Sequence, residues 1–571
     1  MSAEFLGVLV MFALVLVMAY PLGRYMARVY QGERTWLDFL APLERLIFRL
    51  GGVDSRQSMD WKQFLKAMLS INLLWLVYAF FLLIFQDKLP LNPDGNAGQT
   101  PDQAFNTAIS FLVNCNLQHY SGESGLTYLT QWLVVGFLQF VSAATGMACL
   151  VALFNGMKEK TTRNLGNFWV YLVKSTTRIL LPLSLVVGVL LALNGTPTSF
   201  AGKDSLVTLQ GDSVQVSRGP AAGMIAIKQL GTNGGGWFGA NSAHPLENPN
   251  YFTNLVETIC ILLIPVALVF SLGFYLRRMK LAWVIFGVMT FLFLIFCAIN
   301  LYYETRGNPA IDQLGVAQHL GSMEGKEVRL GSAATAFWSV ATTSTSNGSV
   351  NGMHDSLTPM SGAVVMLDMM INALYGGVGV GLLNYFIFII IAVFISGLMV
   401  GRTPEFMGHK VEAREVKIAA LITLLSAFLI KGFTALAVYL LVHHPDVAWT
   451  VKPSAWLNNP SYHGFSEMLY EYTSANANNG SGFEGLGDNN IFWNVTTGIV
   501  LILGRYLPII GPLAIIGLLA AKKHIPESPG TLRTDSITFG AMTLAVIIIV
   551  TALSYLPPLA LGPLAEYFSL Y

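Results

Sequence analysis

Four short clusters of amide, hydroxyl and glycine residues carry the chemistry that this sequence offers. They are Asn114-Cys115-Asn116 with Gln118, the run Gly231–Gly236 around Thr232, Asn233 and Gly234, the run 343–348 ending in Thr345, Ser346, Asn347 and Gly348, and the run 476–480 ending in Asn478, Asn479 and Gly480. None pairs a nucleophile with a base. Such residues instead let backbone carbonyls face a common point. Oxygen rings of that kind replace the hydration shell of a cation.

Each cluster closes an apolar, helix-like stretch too short to cross a bilayer: 105–116, 221–236, 333–348 and 466–480. Taking the last Asn of each (Asn116, Asn233, Asn347, Asn479), the separations are 117, 114 and 132 residues. A single TSTSNG is an ordinary loop. Four in the same relation to four half-helices make a repeat. Hydrocarbon tolerates such re-entrant segments only where their backbone lines a water-filled path or is buried in protein. Each half-helix also aims the negative end of its dipole at the shared axis, which favours a cation.

The rest of the chain supplies the membrane setting. Of 571 residues, 54% are hydrophobic and 11% charged, with a net charge of +1. A soluble multidomain enzyme carries roughly a quarter charged residues, so that class is excluded, and no basic excess points to nucleic acid. Four cysteines without CxxC spacing suggest neither disulfides nor a zinc site. Apolar runs at 4–22, 65–85, 132–154, 171–193, 253–275, 282–303, 363–399, 416–441, 491–520 and 537–556 read as ten spans. The first lacks a basic leader and reads as a retained span. Twenty of the 33 Lys and Arg fall in the short loops on one side and eight on the other. The basic side is therefore expected to be cytoplasmic, and both termini extracytoplasmic. The expected class is an all-α polytopic membrane protein, with four span–pore-helix–span repeats around a pseudo-fourfold pore. Its divisions are 1–62 (first helix and basic segment), 63–165, 166–280, 281–415 and 416–533 (the repeats), and 534–571 (last helix).

The longer stretches NCNLQHYSGE (114–123), GTNGGGWFGANSAHPLENP (231–249), TTSTSNGSVNGMHDSLTPM (342–360), GGVGVGL (376–382), GRTPEF (401–406) and HGFSEMLYEYTSANANNGS (463–481) make the chain resemble the potassium-binding A subunits of bacterial Kdp complexes, within the superfamily of potassium transporters. The resemblance covers nearly the whole length. It implies a selectivity filter at Asn114, Cys115, Asn116, Gln118, Thr232, Asn233, Gly234, Thr345, Ser346, Asn347, Gly348, Asn478, Asn479 and Gly480. Potassium is then the transported ion, held mainly by carbonyls, with no other metal and no tightly bound cofactor. It also implies an inner-membrane complex with a P-type ATPase subunit and two small membrane subunits. The chain has neither GxxxxGK[ST] nor DKTGT, so ATP chemistry is expected on the partner. The first repeat has Leu117 where the others have glycine after the last Asn, so the ring is not expected to be fourfold. The alternative is a stand-alone potassium channel or cation-coupled transporter of the same superfamily. A membrane-embedded enzyme would need clustered catalytic groups, which are absent from the sequence pattern.

Charge at mid-bilayer costs roughly 2.5–3.5 kcal/mol on insertion scales. Arg505 lies mid-span after the fourth cluster and is expected beneath the pore as a barrier to straight-through flow, or else paired to a neighbouring helix. Gly376, Gly377, Gly379 and Gly381 break 363–399 and suggest a gate below the filter, or close helix packing through small residues. Lys431 is a candidate partner for Asp368. Lys174 and Arg178 read as snorkelling, and Glu257 as a solvated carboxylate at a helix end. His119 and His244 read as structural, and Arg402 as a partner or lipid contact.

Overall fold

The computed structural model describes residues 3–401, 403–447, 451–525 and 533–570. Among them ten helices are long and apolar enough to cross a membrane. Four shorter helices stand between them as pore helices: Pro101–Leu112, Ala222–Leu230, Ser332–Ser344 and Ser461–Ala477. Two small β-ribbons, Asp204–Val207 with Ser213–Val216 and Glu405–Phe406 with His409–Lys410, decorate the loops. The second turns through Met407 and Gly408, both at positive φ, as a tight two-residue hairpin requires.

Each repeat has a leading span, a pore helix and a returning span. The returning spans form the inner wall. In Tyr128–Lys158 and Tyr251–Leu276, 89% and 83% of the central window is buried, against 22% in the leading span Trp61–Ile84. In Tyr128–Lys158 the small residues Ser142-Ala143-Ala144-Thr145-Gly146 let backbones approach closely. Polar caps start them just beyond the filter: Asn250 accepts from the N–H groups of Phe252 and Thr253, and Asn490 from those of Phe492 and Trp493.

The third returning span is two helices, Pro359–Ile371 and Val380–Val400. Asn372, Tyr375, Gly376 and Gly379 all have positive φ in the break. The loop is tied upward: the Gly376 N–H donates to Ser344 O at 2.7 Å and the Val378 N–H to Thr232 Oγ1 at 2.9 Å. It also lies hard against the third span. A Cβ at Gly379 would sit 2.3 Å from Gly146 O, and one at Gly146 only 2.2 Å from Val378 O.

On the basic side, the helix Ala41–Leu50 exposes Leu43, Leu46, Ile47 and Leu50 along one flank, as an interfacial helix does. Arg178 does not snorkel. It is buried and donates to Glu44 at 2.6 and 2.7 Å and to Asp38 at 2.7 Å, pinning that helix to the fourth span. Lys174 is half-buried and donates to Val29 O. Lys431 and Asp368 do not meet. Lys431 is exposed on the outward flank of Ala413–His443, while Asp368 is buried and accepts from Thr343 at 2.8 Å and Ser344 at 2.6 Å. Both hydroxyls bond Oδ2, and Oδ1 is buried without a hydrogen-bond partner. Arg402 lies outside the described residues.

The two inner glycines of the break should respond differently to alanine. At Gly379 the new Cβ meets rigid backbone at positive φ; at Gly377 it meets only the Arg505 guanidinium, 3.3 Å away. Gly379→Ala is expected to lower the melting temperature of the detergent-solubilised protein by several degrees, and Gly377→Ala to leave it within a degree or two. Equal melting temperatures would show that the loop does not depend on this close approach.

Candidate functional site

All four pore helices end in the same way. A residue at positive φ follows each helix: Asn114 (+62°), Thr232 (+48°), Ser346 (+48°) and Asn478 (+53°). The next N–H then bonds the carbonyl five residues back: Cys115 to Ser110, Asn233 to Lys228, Asn347 to Thr342 and Asn479 to Ser474, at 2.9–3.1 Å. This is the left-handed helix stop that turns the chain out of the helix axis. It also corrects the alignment of the first repeat. The residue equivalent to Asn233, Asn347 and Asn479 is Cys115, so Asn116 stands at the place of Gly234, Gly348 and Gly480. The last Asn of the cluster is a misleading anchor there, because backbone conformation sets the register.

The four filter strands touch in cyclic order. A Cβ on Gly234 would lie 1.8 Å from Asn347 O, on Gly348 2.1 Å from Asn479 O, and on Gly480 2.5 Å from Asn116 N. Only glycine fits. Asn116 breaks the pattern. Its Oδ1 lies against Gly348 and Gly480 with no hydrogen-bond partner, and its Nδ2 reaches Gly348 O at 3.4 Å. The first repeat thus inserts a carboxamide where the other three have bare backbone.

Side chains staple each strand to the preceding pore helix. Asn233 Nδ2 donates to Phe111 O at 3.3 Å, Asn347 Nδ2 to Gln229 O at 3.3 Å, and Asn479 Nδ2 to Thr342 O at 2.8 Å. Cys115, packed apolarly near Ala475, supplies no fourth staple. Other donors engage Thr232 O (from Asn114), Gly234 O (from Asn241), Gly235 O (from Gln139) and Gly236 O (from Gln118 and Gln131). Two complete layers are left over: the helix-end carbonyls of Val113, Gly231, Thr345 and Ala477, and the layer two residues further on. Among the described residues, the carbonyls of Cys115, Asn233, Asn347 and Asn479 accept no hydrogen bond, although all four residues are fully buried. Buried carbonyls without a partner are rare, and four at equivalent positions form a ring of vacant acceptors.

Behind the second strand lies a polar network that the sequence reading missed. Lys228 is fully buried and bonds Glu247 and Asn241. Ser242 bonds Glu247 and Glu257, and Gln229 bonds Glu257 at 2.8 Å. Glu257 is therefore wholly buried and not solvated at a helix end. The signal was a lysine inside the apolar half-helix Ala222–Leu230.

Beneath the ring, Arg505 is 3% exposed, and its Nη2 has no partner. Gly377 lies between it and the filter: its Cβ position is 3.3 Å from Arg505 Nη1, 3.7 Å from Ser346 Cβ and 3.8 Å from Asn114 Nδ2. Arg505, Gly376, Gly377, Gly379 and Gly381 thus converge below Asn114, Thr232 and Ser346. Above the ring, His119 is buried, with Asn494 at 2.7 Å, Glu471 at 3.2 Å and Asp488 at 3.8 Å. Burial pulls its pKa down, but Asp488 and Glu471 outweigh burial and hold the imidazole up at about 9. His244 stacks on Phe238 at 4.1 Å.

Residues 9–568 match the family model described as KdpA, potassium-transporting ATPase A subunit. The chain belongs to that family. It is 62% identical over 570 residues to the potassium-transporting ATPase potassium-binding subunit of Bacteroides thetaiotaomicron, with 100% of both chains covered. The proteins of the same description from Flavobacterium johnsoniae and Alicyclobacillus acidocaldarius are 63% and 48% identical, covering 100% and 99% of both chains. Among solved structures, the potassium transporter TrkH from Vibrio parahaemolyticus superposes with a TM-score of 0.52 at 14% identity, covering 90% of this chain and 98% of that one. At that identity the likeness is one of fold.

Removing an asparagine staple strands a buried carbonyl, at a cost of about 1–3 kcal/mol. Asn479→Ala is expected to lower the melting temperature and blunt discrimination among potassium, rubidium and sodium in a binding assay, whereas Cys115→Ala should change both little. Equal effects would mean that the staples do not hold the ring.

His119 gives a pH signature. Its folded-state pKa lies above the usual value of about 6.5, so the stability it contributes is complete below that pH and is lost as pH rises through about 9. Asp488, pushed up to about 6 by burial, titrates below this window. The difference in melting temperature between the native chain and His119→Asn should therefore shrink from pH 6.5 to pH 9.5. A constant difference would contradict the assignment.

Proposed function

We propose that this A subunit binds extracytoplasmic potassium at the ring of Cys115, Asn233, Asn347 and Asn479 carbonyls and passes it sideways to an ATP-hydrolysing partner subunit. The observation that carries the reading is this layer of four equivalent, buried, unbonded carbonyls just beyond the helix ends. Asn114, Asn116, Gln118, Thr232, Gly234, Thr345, Ser346, Gly348, Asn478 and Gly480 complete the filter around it. Four carbonyls at the negative ends of four pore helices suit a cation without hydration water. The names of the relatives supply the choice of potassium.

The sideways route rests on two features. Arg505 places a fixed positive charge on the straight path, where it opposes a descending cation. Beside the helix break, a cavity of about 50 Å³ is lined by Asn372, Asn384, Thr423, Ser426 and Thr551 among others. Asn372 links the two places: its Oδ1 accepts from the Ser346 hydroxyl at 3.1 Å, and its carbonyl accepts from Asn384 at 2.8 Å. Asn372 thus joins the filter strand to the cavity, whose lining also includes Met370, Ile371, Ile387 and Phe388. In this reading the basic loops are cytoplasmic, both termini lie outside the inner membrane, and the chain works with an ATPase subunit and two small membrane subunits.

Asn116→Asp tests the site. It keeps the side-chain shape and adds a charge at the ring, whereas Gly234→Asp would first collide with Asn347 O. Potassium-dependent ATP hydrolysis by the chain co-purified with its ATPase subunit is expected to show a potassium half-saturation shifted by tenfold or more, with altered discrimination against rubidium and sodium. Unchanged values for all three ions would place the pump's ion site elsewhere.

A further inference from the structure

At the start of the fourth pore helix, the end away from the filter turn, His463 and Glu467 stand four residues apart on one face of the helix. The loop after the third filter strand brings Asp355 to them. His463 Nε2 is 3.0 Å from Asp355 Oδ1, and Asn459 Nδ2 is 2.9 Å from Glu467 Oε1 and 3.3 Å from Asp355 Oδ2. One ligand atom from each of Asp355, His463 and Glu467 lies within 4.8 Å of the other two. The far ring nitrogen, Nδ1, is held by Glu566 of the last helix at 2.9 Å, and Phe483 stacks on the ring.

This cluster has an electrostatic deficit. Asp355, Glu467, Glu566 and the adjacent Glu484, which takes the N–H groups of His354 and Asp355, bring four carboxylates to one imidazole. Lys326, which reaches Ser356 O beside Asp355, is committed to Glu304 at 2.8 Å. Glu467 is fully buried, and its Oε2 has no hydrogen-bond partner. A wholly buried carboxylate oxygen with no donor, beside two further ligand groups, is poised for a cation.

We propose that Asp355, His463 and Glu467 form a site for a divalent transition-metal cation, distinct from the potassium filter. One imidazole nitrogen and two carboxylates suit zinc-class ions. His463 Nε2 and Asp355 Oδ1, 3.0 Å apart, have the spacing that metal bonds of about 2.0–2.1 Å require, and Glu467 lies within 4.8 Å to close on the ion. Glu566 on the second ring nitrogen fixes the tautomer that presents Nε2 to the metal, the outer support that ligating histidines ordinarily have. A bound ion would join the fourth pore helix to the loop behind the third filter strand, and through His463 to the last helix.

The test uses the chain purified with its partner subunits, without a polyhistidine tag, stripped with chelator and reloaded with Zn²⁺ or Co²⁺. After dialysis the native complex is expected to retain one Zn²⁺ more than complexes carrying His463→Gln or Glu467→Gln. It should also show a visible Co²⁺ absorption that both variants lack. Glu566→Gln should keep the stoichiometry and weaken affinity by about 10–100-fold. A native complex with no visible Co²⁺ band, or retaining no more zinc than the variants, would overturn the proposal and leave a proton on His463 as the balancing charge. The Co²⁺ spectrum of the native complex decides this even if a variant does not assemble.

Discussion

Ending a helix in the middle of a membrane leaves carbonyls that neither water nor the next turn can satisfy, and this chain does so four times. Each pore helix stops at a left-handed residue, and each stop exposes acceptors in a region where an unpaired polar group costs several kcal/mol. Three of the four filter strands donate an asparagine amide to the neighbouring helix end, and the hydroxyls of Thr342 and Ser474 take the Gly348 and Gly480 N–H groups. What the protein leaves unpaired after this includes the helix-end carbonyls of Val113, Gly231, Thr345 and Ala477 and, beyond them, the layer of Cys115, Asn233, Asn347 and Asn479. The inner returning spans, the glycines that allow strands to touch and the Lys228 network all serve to hold that layer still.

In the proposed function the same geometry sets up two opposed fields: four helix ends draw a cation in from above, and the buried Arg505 opposes it from below. Hydrogen bonds from Gly376 and Val378 to the pore-helix ends make the break loop part of the filter's own support.

Much of this was written locally. The four half-helices, the ten spans and the break at 376–381 each lie within a stretch of sequence short enough to read by period and composition. What could not be read depended on partners far along the chain. Arg178 meets Glu44 across 134 residues, His119 meets Glu471 across 352, and His463 meets Glu566 across 103. Glu257 looked solvated because the residues that bury it, Gln229 and Ser242, come from the preceding pore helix and outer loop. The alignment of the first filter slipped by one residue for another reason. A run of asparagines does not announce which member takes positive φ, and only the bond from the Cys115 N–H to Ser110 fixes it.

The first repeat departs from the others at two adjacent positions, and the departures act together. Cys115 gives up the staple to the fourth pore helix, which loosens that seam. Asn116 then fills the space left by a missing glycine, and its carboxamide bridges towards Gly348 and Gly480 from the opposite side. A tetramer of identical subunits could make neither change alone, since every copy would lose its staple and four carboxamides would collide at the axis. Four unequal repeats in one chain remove that restriction. The same freedom allows the third repeat alone to break its returning span and the fourth alone to supply Arg505, so that a buried guanidinium and a lateral cavity arise beside an otherwise fourfold ring.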